Sequence, residues 1–271
     1  MYLTGFADEV SSNIEDQIRV TKELGWNAIE ARSIGESNIH DISDADFENV
    51  CKALLDNGIH INCFGSTIAN WSKKISDPFE ISLQEVERTI SRMHRLNVKL
   101  VRIMSYARCP GSEQYAEERF RRLKVICNKF LEAGITPLHE NCMNYGGMSW
   151  MHTLELIDNI SGLRLVFDTG NPVISKDYSK TEDRKQDSLE FFKKIWPEKA
   201  NTIQPDLDDL QQSEKLIQAV ESMELWHKSK ELDFLDLVEK WKSKGFIMGY
   251  WLEQSKENLQ DALTNLTMKD E

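Results

Sequence analysis

The sequence predicts an α/β fold, a single (β/α)8 TIM barrel spanning residues 1–271. Three observations carry that reading. Amphipathic helices alternate with short apolar strands along the chain, which implies βα units and a parallel sheet. Most strands follow a helix-ending signal such as Asn57-Gly58, Ala133-Gly134 or Ser161-Gly162, where glycine suits the left-handed turn after a helix. The length matches one barrel of about 250 residues, with no linker to divide it.

Taken in order, the opening strand is Tyr2 to Phe6, and a helix follows from Asn13 to Leu24 with apolar residues at i, i+3 and i+4. Ala28 to Glu30 forms the second strand, Ala45 to Asn57 a helix, and Ile59 to Gly65 the third strand. Leu83 to Asn97 is helical and feeds Val98 to Met104. Ala116 to Ala133 is helical and feeds Ile135 to Glu140, and Trp150 to Ile160 feeds Leu163 to Asp168. Beyond that point, a polar loop (Ser175 to Gln186) precedes a helix from about Asp187 to Trp196, stopped by Pro197. Asn201 to Pro205 is the expected seventh strand, because proline is tolerated at a strand end. Residues 207–230 read as an acidic loop with a helical insertion, followed by a helix from Asp233 to Lys244 and a last strand from Ile247 to Glu253. The first strand runs into Ala7-Asp8-Glu9-Val10 with no GxGxxG, so the alternative, an open dinucleotide-binding sheet, gains no support.

Composition narrows the function classes. Lys and Arg total 33 against 45 Asp and Glu, giving a formal charge of −12 that disfavours nucleic acid as a partner. No apolar run reaches the ~20 residues needed to cross a bilayer, so no membrane partner is expected. Five cysteines, odd in number and without CxxC spacing, read as reduced thiols of a cytoplasmic protein. Assembly into a homo-oligomer is left open.

Chemistry in a (β/α)8 barrel sits at the carboxyl ends of its strands. Here Glu140, Asp168 and Glu253 each end an apolar strand. Three converging anions repel unless a cation neutralises them, so a divalent metal is expected. Gln204, at the end of the seventh predicted strand, offers a neutral oxygen as a fourth ligand. A ligand set made only of oxygens favours Mg2+ or Mn2+ over zinc. The candidate metal ligands are therefore Glu140, Asp168, Gln204 and Glu253.

The segments Leu138 to Gly147, Val166 to Pro172 and Trp251-Leu252-Glu253, with the opening Gly5-Phe6-Ala7-Asp8-Glu9, resemble the xylose isomerase-like sugar phosphate isomerase/epimerase superfamily. The resemblance implies one divalent metal held by Glu140, Asp168, Gln204 and Glu253, with Glu140 and Glu253 exchanging the substrate proton. The chain departs from the family pattern in two places. Thr202-Ile203-Gln204 lacks the first histidine of the usual seventh-strand motif, and no glycine occurs between Asn171 and Lys244. Glycine permits the close approach of backbone N–H groups to a phosphate, so tight phosphate binding by that route is not expected here, and whether the sugar is phosphorylated is not read from the sequence.

Four further residues are candidate substrate contacts: His139, Asn171, Ser66 and Trp71. Alternation along the strand aims His139 away from the barrel axis, which suits a supporting residue. Arg32 is expected to pair with Glu30 or Asp8. The function these residues imply is a metal-dependent ketose or keto-polyol isomerase or epimerase, working through an enediolate with two glutamates as acid and base. The alternatives are dehydration of a cyclic keto-polyol through the same enolate, and a degenerate barrel that binds sugar without catalysis.

Overall fold

The βα alternation read from the sequence is present in the computed structural model, which describes residues 4–168 and 170–203. In chain order the elements are α1 (Ile14–Glu23), β1 (Ala28–Ala31), β2 (Ser33–Ile34), β3 (Ser37–Asn38), α2 (Asp44–Asn57), β4 (His60–Gly65), α3 (Phe79–Leu96) and β5 (Leu100–Ile103). They continue as α4 (Ala116–Glu132), β6 (Thr136–Glu140), α5 (Trp150–Asn159), β7 (Arg164–Val166), α6 (Asn171–Ile174) and α7 (Ser188–Ile203). Two units divide the described residues: 4–66 with 84–101, and 67–83 with 102–203.

In the first unit, side chains written beside the helices start them. The Asn13 carboxamide oxygen accepts from the N–H groups of Glu15 and Asp16 (2.8 and 3.2 Å), satisfying donors that α1 cannot pair internally. Ser43 does the same for α2 through the N–H of Asp46, and Gly58 ends that helix at φ 65°. Strands β1 and β4 pair in parallel, Ala28 opposite His60 and Ala31 opposite Phe64, with a shift between Ile29 and Glu30. Their apolar side chains are buried, as a sheet covered on both faces requires. Arg32 reaches back to Asp8 (2.8 Å) and Glu9, so its partner is one of the two expected for it. Arg92 of α3, also buried, donates to the carbonyls of Ile39 and Ile42 (2.7 and 2.6 Å) and fixes the loop before α2.

The expected opening strand is reduced, among the described residues, to a single parallel bridge between Phe6 and Glu30. The chain turns at once into a 3-10 turn over Ala7–Glu9, which carries Asp8 and Glu9 to Arg32.

In the second unit β6 and β7 pair in parallel, with Leu138 opposite Arg164 and Glu140 opposite Val166. Their connection is the buried 3-10 turn Gly146–Met148 and α5. Helix α7 docks through Phe191 and Phe192, whose rings lie 5.7 and 5.3 Å from that of Phe167.

The largest correction to the sequence reading falls here. Asn201 to Ile203, expected to open a strand, are the last residues of α7, which runs through Pro197. An interior proline forfeits one helical hydrogen bond and costs about 3 kcal/mol. Buried Phe191, Phe192 and Ile195 on the preceding turns offset that cost, and Glu198, Lys199 and Ala200 are strong helix formers. Gln204, Glu253, the 207–230 insertion and the last predicted helix and strand lie outside the described residues.

The loop after β5 is held by one buried cation. Arg119 of α4 has no exposed surface and donates to the carbonyls of Gln114 (2.6 Å), Ser105 (2.5 Å) and Ala107 (2.8 Å). Its guanidinium also covers the Tyr145 ring at 5.0 Å. Arg119→Met should therefore lower stability by about 3 kcal/mol, since one buried and two part-buried carbonyls lose their donor. Arg121→Ala removes an exposed pair with Glu118 and an exposed contact over the Phe79 ring and should cost less than about 1 kcal/mol. Urea unfolding of both variants checks the contrast; equal losses would remove Arg119 from its role as the loop's anchor.

Candidate active site

Register decides which side chains meet at the ends of β6 and β7. Glu140 lies opposite Val166, so Asp168, two residues further on, falls on the same side of the strands. Both carboxylates are buried. Asn171 joins them: its backbone N–H donates to Asp168 Oδ1 (3.0 Å) and its side-chain amide to Glu140 Oε1 (3.1 Å). Asn141 closes the arrangement with a reciprocal pair, donating to the Asp168 carbonyl (2.8 Å) and accepting from the Asp168 N–H (2.6 Å).

The second oxygen of Glu140 accepts from Arg102 Nη1 at 2.7 Å, with the two side chains 1% and 4% exposed. A buried carboxylate is costly without a compensating charge, and Arg102 supplies one. Asp168 Oδ1 also accepts from the Gly170 N–H (2.6 Å), so this acid starts the short helix α6 as well as facing Glu140.

His139 points to the other side, opposite Leu165, and is fully buried. Its Nε2 lies 3.0 Å from Ser105 Oγ and 3.1 Å from Asn144 Oδ1. An amide oxygen only accepts, so Nε2 carries the proton. Burial pushes the His139 pKa down to about 4 against the opposing effect of the hydrogen bond it donates to Asn144, which keeps the ring neutral near pH 7. Ser105 Oγ completes the network by donating to Asn144 Oδ1 (2.5 Å) and accepting from the Gly146 N–H (2.7 Å). A Cβ on Gly146 would collide with the His139 ring, and one on Gly147 with the Cys142 carbonyl. The two glycines are thus fixed by packing beneath the turn.

Beyond this network a cavity of about 510 Å³ opens, lined by Trp71, Arg108, Asn144, Lys176, Tyr178 and Lys185 among others. One wall is the loop that connects α6 to α7. Gln186 ties it down, its amide donating to the carbonyls of Gly147 (2.8 Å), Met148 (3.3 Å) and Lys176 (3.0 Å). The charged stretch from Lys176 to Lys185 is therefore an anchored wall in this structure.

Of the sequence candidates, Glu140, Asp168 and Asn171 come together, Trp71 lines the cavity, and His139 lies beneath it. Ser66 belongs to the first unit and is fully buried. Gln204 and Glu253 fall outside the described residues. In donor type Glu140 and Asp168 fit a hard divalent cation. Among the described residues no group of three His, Cys, Asp or Glu side chains gathers around a common point. Sequence reasoning missed Arg102, although an arginine inside the apolar run Leu100 to Met104 signals a buried partner. Asn141 and Asn144 carried no comparable signal, since polar residues are ordinary in loops.

Arg102→Met leaves the Glu140 charge buried and uncompensated, and should cost about 3–5 kcal/mol in urea unfolding. Adding Glu140→Gln removes that charge. The double variant should then be more stable than the sum of the two single losses implies, by at least about 1 kcal/mol. Strict additivity would mean that the pair does not act as a unit.

Comparison with known proteins follows the same lines. No curated protein sequence matches the chain. A xylose isomerase-like TIM barrel protein from Mycobacterium smegmatis, solved in complex with magnesium, is 14% identical, with 98% of this chain and 96% of that chain covered and a TM-score of 0.58. The probable 3-DHS dehydratase AsbF of Bacillus anthracis, involved in petrobactin synthesis, is 14% identical over 98% of both chains, with a TM-score of 0.61. A D-allulose 3-epimerase from Methylomonas sp. is 13% identical over 65% of both chains, with a TM-score of 0.50. At such identities the likeness establishes the barrel fold alone. The family model for the xylose isomerase-like TIM barrel matches residues 18–211, and the chain belongs to that family.

Proposed function

We propose that this protein is a divalent-metal-dependent isomerase or epimerase of a ketose or keto-polyol. The observation that carries the reading is the buried pair Glu140 and Asp168 at adjacent strand ends, joined through Asn171. Structural relatives that include an epimerase and a probable dehydratase support an enzyme of this general kind. Mg2+ or Mn2+, held by Glu140 and Asp168 together with Gln204 and Glu253, would supply Lewis-acid polarisation of the substrate carbonyl and acidify the adjacent C–H.

The chain's own groups do the rest. Glu140 and Glu253 are the acid–base pair: one carboxylate removes the proton beside the carbonyl and the other returns it. Proton return on the opposite face inverts the carbon, and return to the neighbouring carbon moves the carbonyl. Arg102 and Asn171 each bind one oxygen of Glu140, so its carboxylate is oriented before substrate arrives. Asn171 is the nearest candidate for a substrate hydroxyl, and Trp71 offers a flat apolar surface for a sugar face. His139, neutral and fully buried, supports Asn144 and the turn beneath the cavity. The five free thiols support a reducing compartment such as the cytoplasm.

The test is metal content after incubation with manganese and desalting, followed by exchange of ketose protons with heavy water. Wild type should retain about one metal per chain and Glu140→Ala almost none. Glu140→Gln and Glu253→Gln should each slow exchange by at least about a hundredfold. Exchange accompanied by loss of hydroxide from the substrate would reassign the protein to the dehydratases. Neither metal nor exchange in the wild type would leave a sugar-binding barrel.

A further inference from the structure

The walls of the cavity beside the candidate site have a charge composition opposite to that of the chain. Acidic residues outnumber basic ones 45 to 33 overall, yet among the described residues the lining includes Arg108, Lys176 and Lys185 and no Asp or Glu. These cations differ in how far they are already spent. Lys176 pairs with Asp183 at 3.0 Å. Lys185 donates to the Ile174 carbonyl at 2.6 Å and shares the field of Asp183 with Lys176, so one carboxylate faces two ammonium groups. Arg108 sits over the Tyr178 ring, 4.5 Å from its centroid, and makes no ion pair among the described residues. Its planar fork of N–H donors is therefore open on the cavity side.

Much of the remaining lining is apolar. Trp71, Met143 and Ile174 are 44%, 58% and 61% exposed. Large apolar side chains left uncovered around a concave site mark a ligand-binding rim. Asn144, whose oxygen is engaged by Ser105 and His139, adds a polar group at the wall nearest Glu140, its amide lying 3.4 Å from the Glu140 carbonyl.

From this juxtaposition we infer that the substrate carries a carboxylate: a ring-shaped sugar acid or keto-polyol acid. Its anionic group is bound by the Arg108 fork with Lys185, and its ring packs against Trp71 and Tyr178. The inference rests on the reading of Glu140 and Asp168 as the reacting end of the same site and adds the substrate's charge to it. A carboxylate matches a guanidinium with two parallel N–H···O bonds. A guanidinium also pairs with phosphate, but the backbone N–H cradle that phosphate sites often add has little support here: among the described lining residues Gly147 is the one glycine, and it packs against the Cys142 carbonyl.

The experiment is calorimetric titration of the full-length protein with three pyranose probes matched in shape: D-glucuronate, D-glucose and D-glucose 6-phosphate. Glucuronate should bind at least about tenfold more tightly than glucose, and the difference should shrink as salt is raised. Arg108→Gln should erase most of that preference, Arg108→Lys should restore part of it, and Lys185→Met should reduce it. Thermal melts confirm that each variant is folded: Arg108 lies in a loop and holds no backbone carbonyl among the described residues, and Lys185 gives up one exposed bond to the Ile174 carbonyl. Equal binding of glucuronate and glucose, no saturable binding of any probe, or an unaltered preference in Arg108→Gln would overturn the inference. Tighter binding of the 6-phosphate than of glucuronate would overturn the carboxylate assignment in favour of a phosphate site. These outcomes are separable from the function itself. Proton exchange of neutral ketoses and its loss in Glu140→Gln do not depend on Arg108, so either idea can fail alone.

Discussion

The Arg102–Glu140 ion pair is the constraint around which the second unit's strand ends are arranged. A carboxylate that is 1% exposed is tolerated only with a compensating charge and with its oxygens hydrogen-bonded. Arg102 meets the first demand from β5, one strand over in sequence, and Asn171 meets part of the second from the turn after β7. Satisfying one buried acid therefore draws residues from three separate βα segments to a common point. Asn171 can serve Glu140 only because Asp168 has already folded the turn, accepting from the N–H groups of Gly170 and Asn171. Truncating any one member would leave another buried polar group unsatisfied, so these residues are expected to behave as a coupled set.

Buried arginines recur as loop anchors. Arg119 holds the 105–114 loop by three carbonyls, and Arg92 holds the 39–42 turn by two. A helix can present a long guanidinium to irregular backbone that no strand will pair, and five N–H donors match several carbonyls at once. In the second unit this has a functional consequence. The carbonyl of Ser105 is fixed by Arg119, and its hydroxyl then meets Asn144, His139 and the Gly146 N–H. The floor of the cavity is thus rigid from α4 through the 146–148 turn, while Gln186 fastens the facing loop to the same turn.

Much of this was legible in the sequence, for physical reasons that differ by residue. Helices α1, α2, α4 and α5 were predicted to within a residue or so, because apolar periodicity and the glycines or asparagines at their ends are local signals. Glu140 and Asp168 were legible because each follows an apolar strand. The run Asn201 to Ile203 was misread because Pro197 is a strong local stop, whereas the helix is held by tertiary packing of Phe191, Phe192 and Ile195 that no local pattern reports. The short hairpin Ser33 to Asn38 and the pairing of Arg102 were missed for the same reason: each depends on a partner distant in sequence or on a turn too short to leave a periodicity. Lys176 and Lys185 were visible as charges of the polar loop Ser175 to Gln186. Only the bridge between Lys176 and Lys185 and the Gln186 anchor bring them to one wall.

That placement bears on how an acidic protein could use an anionic substrate at all. A net charge of −12 repels anions at long range, and the repulsion decays over a Debye length of about 8 Å at physiological ionic strength. Attraction must therefore come from groups nearer the ligand than that and poorly screened by water. Arg108, over the Tyr178 ring, and Lys185, bound to the Ile174 carbonyl, meet the first condition within one concave surface; both are exposed, so their attraction is expected to weaken as salt is raised. A neutral sugar would feel neither the repulsion nor the attraction, and for it the cluster of cations would be without purpose. For a carboxylate the two fields act in sequence: the surface slows encounter, and the cavity retains what enters. Selectivity for such a substrate should thus reside in dissociation rather than association, because the only favourable electrostatic contacts are those made after entry.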